Sequence, residues 1–234
     1  MKPFYAISLL LLFLIACRLE TKQLDQYELH GIDVSHHQSI IDWETVANQQ
    51  VDFAFVKASE GENFQDSLFC FNWESLKDVG IRRGAYHFFR PKKSGLFQAQ
   101  NFITDVKMEP GDLPPVLDVE VLDGVSHPVL INRMQSWLNI VEHHYQIKPI
   151  IYTNLKFYHQ HLIGYFDDYP IWIARYSYRQ PFFLDGRSWH FWQYGNQGQL
   201  AGIRGDVDFN VFHGTPDELD ALCYKSPFMI SAAE

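Results

Sequence analysis

Asp118 and Glu120 are separated by a single residue at the end of a short apolar segment that begins at Pro115. If that segment is a β-strand, positions i and i+2 project from the same face, so both carboxyl groups point to one side. Two adjacent carboxylates in a partly apolar setting repel each other, which raises the pKa of one of them and keeps it protonated near neutrality. A protonated carboxylic acid beside an ionised one is the pair of groups that glycoside hydrolysis requires.

A D-x-E pair also has simpler interpretations. A solvated acidic strand end would look the same, and carboxylates with backbone carbonyls and water also bind Mg²⁺ or Ca²⁺. Asp33 and Asp208, which lie in other apolar segments, favour a catalytic cluster instead. The sequence contains no D-x-D-x-D-G loop, no H-E-x-x-H motif and no cysteines at zinc spacing, so we expect neither a cofactor nor a structural metal. It also lacks the G-x-S-x-G turn of many serine hydrolases.

The chain that must position these carboxylates alternates apolar and amphipathic segments from Leu29 onward. Eight segments are rich in β-branched or aromatic residues and lie between turn signals, which predicts strands. The predicted strands are residues 29–34, 53–57, 84–88, 115–120, 149–152, 171–174, 189–194 and 207–211. Helical patterns follow the first five strands, at residues 42–50, 67–79, 96–107, 128–145 and 155–163. Ser126-His127-Pro128 is a suitable cap and first turn for the fourth helix.

The segments between the last three predicted strands hold Gly, Pro, Asn and Asp with no sustained helical period. Five β/α units followed by three strands predict a single α/β domain, an irregular TIM-like barrel of the form (β/α)5(β)3. An open doubly wound sheet is the alternative, but no Gly-rich phosphate-binding turn supports it. In a barrel of this type chemistry takes place at the carboxyl ends of the strands, so the four carboxylates are expected to converge there.

Charge and composition narrow the class of partner. The sequence has 19 Lys and Arg against 28 Asp and Glu, a formal net charge of −9, which disfavours nucleic acid and electrostatic binding to an anionic membrane. Aromatic residues make up 16% of the chain, which indicates either a large core or stacking surfaces for flat ligands such as sugar rings. We expect a monomer.

The N-terminal residues have the pattern of an export signal. Lys2 precedes an uncharged apolar run over residues 4–16, which is shorter than the roughly 18–20 residues of a membrane-spanning helix. The sequence Leu14-Ile15-Ala16-Cys17 is similar to a bacterial lipobox, in which Cys17 becomes the acylated N-terminus. An ordinary signal peptide with an incidental cysteine is the alternative. We therefore predict a lipoprotein signal peptide over 1–16, a polar tether over 17–27, a barrel domain over 28–224 and a tail over 225–234. This arrangement anchors an exported protein by lipid to a bacterial membrane of the cell envelope.

Two cysteines remain besides Cys17. Cys70 lies within an apolar helical stripe and is expected to be a small buried hydrophobic residue. A disulfide between Cys70 and Cys223 is an open alternative, because sequence alone does not decide pairing.

Eight blocks in order are similar to glycoside hydrolase family 25, the lysozymes of the N,O-diacetylmuramidase type. The blocks cover about residues 29–212. They begin Gly31-Ile32-Asp33-Val34-Ser35-His36-His37-Gln38, FAFVKASEG (53–61), Gly84-Ala85-Tyr86-His87-Phe88 and Pro115 to Glu120, and continue with Ile151-Tyr152-Thr153-Asn154, Trp172-Ile173-Ala174-Arg175-Tyr176, Trp192-Gln193-Tyr194 and Val207-Asp208-Phe209-Asn210. Ser39 and Gln50 depart from the family pattern, in loops away from the carboxylates.

The resemblance implies cleavage of the β-1,4 bond between N-acetylmuramic acid and N-acetylglucosamine in peptidoglycan. Glu120 matches the general acid and Asp118 its companion carboxylate, and Asp33 and Asp208 complete the acidic site. Either the substrate's 2-acetamido group attacks the anomeric carbon, or a carboxylate such as Asp33 does. The matched blocks also supply candidate substrate-binding residues, namely Tyr86, Tyr152, Trp172 and Gln193, for which ordinary barrel packing is the alternative role.

Two other functions remain open at this point. One is a peptidoglycan-binding protein with weak or no catalysis, which the presence of all four carboxylates disfavours. The other is a hydrolase of a different N-acetylhexosamine polymer, such as chitin.

Overall fold

The protein is described by a computed structural model that covers residues 24–226. Nine strands form one sheet, and eight of them close into a barrel because the first and second strands also pair with each other. The barrel strands are β1 (His30–Val34), β2 (Phe53–Glu60), β4 (Arg82–Phe88), β5 (Val116–Asp118), β6 (Ile150–Asn154), β7 (Ile171–Ala174), β8 (Phe191–Gly198) and β9 (Val207–Phe212). The ninth, β3 (Phe64–Gln65), pairs antiparallel with the end of β2. The predicted barrel class and all eight predicted strands are confirmed.

Helices cover the outside of the barrel. They are α1 (Trp43–Ala47), α2 (Phe69–Asp78), α3 (Gly95–Asp105), α4 (His127–Tyr145), α5 (Leu155–Phe157), which continues as a π-helix over Tyr158–Leu162, and α6 (Pro216–Leu222). A 3-10 turn spans His36–Gln38. The helix α6 was not predicted, although Thr215 and Glu218 form a reciprocal capping box at its start, which is a signal the sequence carries. Ser126 is the N-cap residue of α4, as expected.

The direction of β9 distinguishes this barrel from a regular one. Strands β1, β2 and β4 to β8 are parallel to their neighbours, whereas β9 runs antiparallel to both β8 and β1. A parallel connection needs a crossover of a dozen or more residues, and the segment between β8 and β9 is too short for one. The start of β9 therefore lies at the end of the barrel where the other strands finish.

Two apolar layers hold the barrel together. Inside it, the rings of Phe53, Phe55 and Phe191 pack edge to face, and the Phe55 ring stacks on Trp172 at 4.3 Å between centroids. A Cβ atom at Gly31 would overlap the Phe53 ring, so glycine is required there for the aromatic filling. Outside, the buried faces of the helices pack against the opposite faces of the strands, with Trp137 of α4 fully buried.

The long segment between β7 and β8 takes the place of a helix. Its Phe183 is buried and stacks on Tyr158 of the π-helix at 4.4 Å. The neighbouring Phe182 and Leu184 are each 70% exposed. This segment shields the barrel wall without helical hydrogen bonds, which explains why no helical period was found there.

The first described residues belong to the packed domain. Leu24 and Tyr27 are buried, and the Tyr27 ring lies 5.7 Å from that of Trp189. The last residues of the predicted tether over 17–27, from Leu24 onward, therefore pack on the barrel. The predicted signal peptide, Cys17 and nearly all of the tail lie outside the described residues. No helix within residues 24–226 is long and apolar enough to cross a bilayer.

The prediction for Cys70 was wrong. The helix α2 buries Phe69, Trp73 and Leu76 and turns Cys70 outward, so its side chain is exposed. Cys223 is buried and its Sγ donates to the carbonyl of Leu219 at 3.2 Å. Both thiols are free, so this structure contains no Cys70–Cys223 disulfide.

Candidate active site

A cavity of about 250 Å³ opens at the end of the barrel where the parallel strands finish. Nine of its wall residues lie in β1, β2 and β4 to β9, and the others lie just beyond strand ends. All eight predicted catalytic and substrate-binding residues line it, so the structure brings the whole predicted set together. The lining consists of Asp33, Ser35, His37, Lys57, Tyr86, Phe88, Asp118, Glu120, Tyr152, Trp172, Tyr176, Gln193 and Asp208.

Asp118 and Glu120 share this cavity at different depths. Asp118 ends β5 and is 5% exposed, whereas Glu120 lies two residues beyond and is only partly buried. Burial raises the pKa of Asp118 well above its ordinary value, and the charge of Glu120 raises it further. Burial also raises the pKa of Glu120, with the charge of Asp208 adding to the effect. The pair therefore retains a proton to higher pH than free carboxylic acids do.

Asp33 and Asp208 form a second acidic pair across the cavity. They are direct partners in the antiparallel register of β1 and β9, and Asp33 donates a hydrogen bond to Asp208 when it is protonated. Burial, followed by the charge of Asp208, raises the pKa of Asp33 well above its ordinary value. The pKa of Asp208 is raised by burial as well, against the opposing effect of the Asp33 hydrogen bond. Two acids in this arrangement therefore hold a proton to higher pH than free aspartic acids do.

Two buried amides fix the orientation of Asp33. Its Oδ2 accepts hydrogen bonds from Nε2 of Gln193 and from Nδ2 of Asn210, each at 2.8 Å. The side-chain Oε1 of Gln193 accepts a hydrogen bond from the hydroxyl of Tyr152 at 2.7 Å. The side-chain Oδ1 of Asn210 accepts a hydrogen bond from Nε1 of Trp172 at 2.8 Å. One oxygen of Asp33 is thus saturated by amides that are themselves held by two aromatic side chains.

The aromatic residues of the cavity, including those predicted to contact sugar, differ in how deeply they are buried. Trp172 is 2% exposed and Tyr152 is 6% exposed, and their rings lie 4.4 Å apart at the floor of the cavity. The Tyr152 hydroxyl and Nε1 of Trp172 already donate hydrogen bonds to protein side chains. These two rings therefore form the floor of the cavity. Tyr86 is half-buried, and burial together with the surrounding carboxylates raises its pKa well above the ordinary value, which keeps the phenol neutral. Tyr176 is 56% exposed and donates to Gln193 at 3.2 Å.

Five lining residues were not among the predicted site residues: Ser35, His37, Lys57, Phe88 and Tyr176. Lys57, Phe88 and Tyr176 lie in or directly after predicted strands, and that position was the available signal. The loop that carries Ser35 and His37 is held by Asp66, whose Oδ2 accepts from the backbone N–H of His36 at 3.1 Å and from its ring Nδ1 at 2.6 Å. No local pattern links Asp66 to that loop, because the two are joined only through the fold.

Two other features do not form a catalytic site. Ser59 Oγ lies 2.8 Å from Nδ1 of His87, but both side chains are fully buried between barrel and helices. Burial lowers the pKa of His87 to about 3, so its ring is neutral. A larger surface depression of about 640 Å³ beside Glu142 and Tyr169 contains none of the predicted residues. Within residues 24–226 no group of three or more His, Cys, Asp or Glu side chains is placed to hold a metal ion.

Comparisons with known proteins give a matching family, related sequences and solved structures of the same fold. The sequence pattern of the family described as "Glycosyl hydrolases family 25" matches residues 32–203. The chain is 47% identical to the protein YegX of Escherichia coli strain K12 over 201 residues, which covers 84% of this chain and 74% of that protein. It is 34% identical to Lysozyme M1 of Streptomyces globisporus over 212 residues, 85% of this chain and 72% of that protein. Among solved structures, a family 25 glycosyl hydrolase from Bacillus anthracis superposes with a TM-score of 0.80 at 35% identity, covering 84% of this chain and 94% of the other.

Proposed function

Because the chain belongs to glycosyl hydrolase family 25 and is therefore a glycoside hydrolase, we propose that it is a lysozyme acting on peptidoglycan. The bond cleaved is the β-1,4 linkage from N-acetylmuramic acid to N-acetylglucosamine, and Glu120 is the general acid. The observation that carries this proposal is the convergence of four carboxyl groups on one cavity, Asp118 and Glu120 among them.

Glu120 suits the proton-donor role better than Asp118 does. It is the more accessible of the two, and its raised pKa lets it keep a proton to higher pH than a free glutamic acid does. Protonating the glycosidic oxygen turns the departing sugar into a neutral alcohol, which is the purpose of general acid catalysis. Asp118, deeper in the wall, is placed to support the positive charge that develops at the substrate's reacting centre.

Asp33 is poorly suited to attack the sugar. It is 8% exposed, its Oδ2 already accepts two hydrogen bonds, and burial together with the charge of Asp208 raises its pKa, which favours the protonated, non-nucleophilic form. These contacts support the alternative in which the substrate's own 2-acetamido group is the nucleophile. Asp118 would then stabilise the acetamido nitrogen as it becomes positive, and Asp33 with Asp208 would orient the substrate.

Product analysis tests the proposed bond. Purified peptidoglycan is digested, reduced with borohydride and examined by mass spectrometry; cleavage by a muramidase leaves reduced N-acetylmuramic acid at the new chain ends. Reduced N-acetylglucosamine ends would contradict the proposal. Binding without any release of fragments would indicate the non-catalytic wall-binding alternative, and release of oligosaccharides from chitin would indicate the third alternative.

We also propose that the protein is exported and held to a bacterial membrane by acylation of Cys17, after removal of residues 1–16. Support comes from the sequence Leu14 to Cys17, which lies outside the described residues. We propose that it works as a monomer, since the cavity is walled by residues of one chain.

A further inference from the structure

Lys57 is a buried cation in the wall of the acidic cavity. It projects from β2, is 8% exposed, and its Nζ lies 2.7 Å from Oε2 of Glu60. The ammonium also lies over two aromatic rings, 5.1 Å from the centroid of Phe88 and 5.4 Å from that of Phe64. An ion pair and two ring faces restrict a side chain that is otherwise flexible, so the charge is held at one place.

Asp118 lies on β5, separated from the strand of Lys57 by β4 alone. The register pairs Lys57 with Tyr86 of β4 and pairs Phe88 with Asp118 of β5, so the Phe88 ring that contacts the ammonium stands next to the carboxyl group. Lys57 and Asp118 line the same cavity. Oδ1 of Asp118 is buried and has no hydrogen-bond partner within residues 24–226. A carboxylate without that partner depends on nearby positive charge to stay ionised.

The other charged groups around Asp118 are acidic. The charges of Glu120, Asp33 and Glu60 each raise the pKa of Asp118, and the charge of Lys57 opposes them by lowering it. For Glu120 the charged neighbour that shifts the pKa is Asp208. Tyr86 and Tyr152 face the same space as neutral phenols, because burial raises their pKa values. The charge of Lys57 therefore shifts the pKa of Asp118 and is not among the main causes of the shift at Glu120.

We propose that Lys57 biases the proton of the Asp118–Glu120 pair toward Glu120: its charge opposes the burial and the acidic neighbours that favour a protonated Asp118. Lys57 acts through Asp118 and is therefore a positioning residue for the proton. Glu60 holds the ammonium, and Arg90 stands behind Glu60 at 3.9 Å while its Nε pairs with Asp123 at 3.2 Å. The inference rests on the proposed lysozyme reaction for its meaning, but the proton position is measurable without turnover.

Lys57→Met keeps the length and apolar stem of the side chain and removes the charge. The pKa of Asp118 should then rise by about one pH unit or more, the size expected for losing an opposite charge nearby. In the pH profile of kcat/KM the acid limb should move to higher pH, the alkaline limb should stay or move to higher pH, and the plateau should fall. Lys57→Arg keeps the charge and should restore the acid limb.

The experiment has two independent readouts on the full chain purified in detergent. One is the pH profile of peptidoglycan digestion; the other is the carboxyl-carbon NMR titration of Asp118 in protein labelled at aspartate, with Asp118→Asn identifying the signal. Lys77→Met is the matched control, since Lys77 also forms a 2.7 Å ion pair, with Glu109, but is exposed and outside the cavity. An unchanged Asp118 titration in Lys57→Met overturns the inference. A wild-type protein that titrates as expected but releases no fragments defeats the lysozyme proposal alone.

Discussion

Asp33 and Asp208 lie opposite each other in the register of β1 and β9 and share a hydrogen bond inside the acidic cavity. Asp33 lies near the end of β1 and Asp208 near the start of β9, so the two meet only because β9 runs antiparallel to its neighbours. Asp208 raises the pKa of Asp33, whereas the hydrogen bond from Asp33 favours the ionised form of Asp208. The consequences of this pairing and of the Asp118–Glu120 pair can be measured.

Asp33→Asn should stabilise the protein at neutral pH while reducing activity. A carboxyl group whose pKa is raised by folding contributes stability below its unfolded pKa near 4, and that contribution is lost as pH rises through the folded pKa. Asparagine accepts from Gln193 and Asn210 through its oxygen and donates to Asp208 through its amide, with no group to ionise. The melting temperature should therefore exceed that of wild type at pH 7 and match it more closely near pH 4. Asp78→Asn, at an exposed position at the end of α2, should change neither.

Glu120→Gln should remove most of the activity and leave the fold intact. Glutamine keeps the shape and hydrogen bonding but supplies no strong acid, and general acid catalysis is typically worth about 10²- to 10⁴-fold. Turnover of peptidoglycan should fall by at least that factor, with an unchanged circular dichroism spectrum. Activity within a few-fold of wild type would refute the assignment of Glu120 as the proton donor.

Asp118→Asn should impair turnover severely and also alter its pH dependence. The substitution removes the negative charge that supports positive charge at the reacting centre. It also removes the neighbour that repels an ionised Glu120, so the pKa of Glu120 should fall. The alkaline limb of the residual activity should then move to lower pH, opposite in sense to any shift of that limb in Lys57→Met. Residual activity with an unmoved alkaline limb would show that the two carboxyl groups are not coupled.

Ser39→Gly should raise stability. Ser39 ends the 3-10 turn with φ 57 and ψ −155, a conformation that side chains with a Cβ rarely adopt and that costs of order 1–3 kcal/mol. Glycine relieves this strain, against an entropy cost of about 0.5–1 kcal/mol in the unfolded chain. The net gain should be about 1 kcal/mol, or roughly 2–4 °C in melting temperature. Ser39→Ala retains the Cβ atom and should show no such gain; equal stabilisation by alanine would rule out backbone strain as the cause.

Cys17→Ala should block lipid attachment and leave unprocessed or mislocalised protein. The prediction depends on the sequence Leu14 to Cys17, in which cysteine is the residue that would be acylated. Cells labelled with a fatty-acid probe should show label on the wild-type protein and none on the variant, with Cys70→Ala as the control that keeps it. Equal labelling of the wild type and Cys17→Ala would contradict the lipobox.

Local signals were enough to predict much of this protein. The eight strands and the start of α4 follow from side-chain periodicity and turn residues, which act over a few positions of the chain. The pairing of Asp118 with Glu120 follows from the two-residue repeat of a strand. Even the convergence of the carboxylates on one face required only the general rule for the ends of barrel strands.

Only the tertiary structure decided the relationships between distant segments. The reversed β9 places Asp208 opposite Asp33. Gln193 and Asn210 fix Asp33 by hydrogen bonds, and Lys57 and Asp118 line one cavity from the strands on either side of β4. Cys70 also turned outward, because the rotation of α2 is set by what packs beneath it. Strand direction, helix rotation and electrostatic neighbours depend on closure of the whole barrel, which brings together residues that are far apart in the chain and carry no mark of one another in its local pattern.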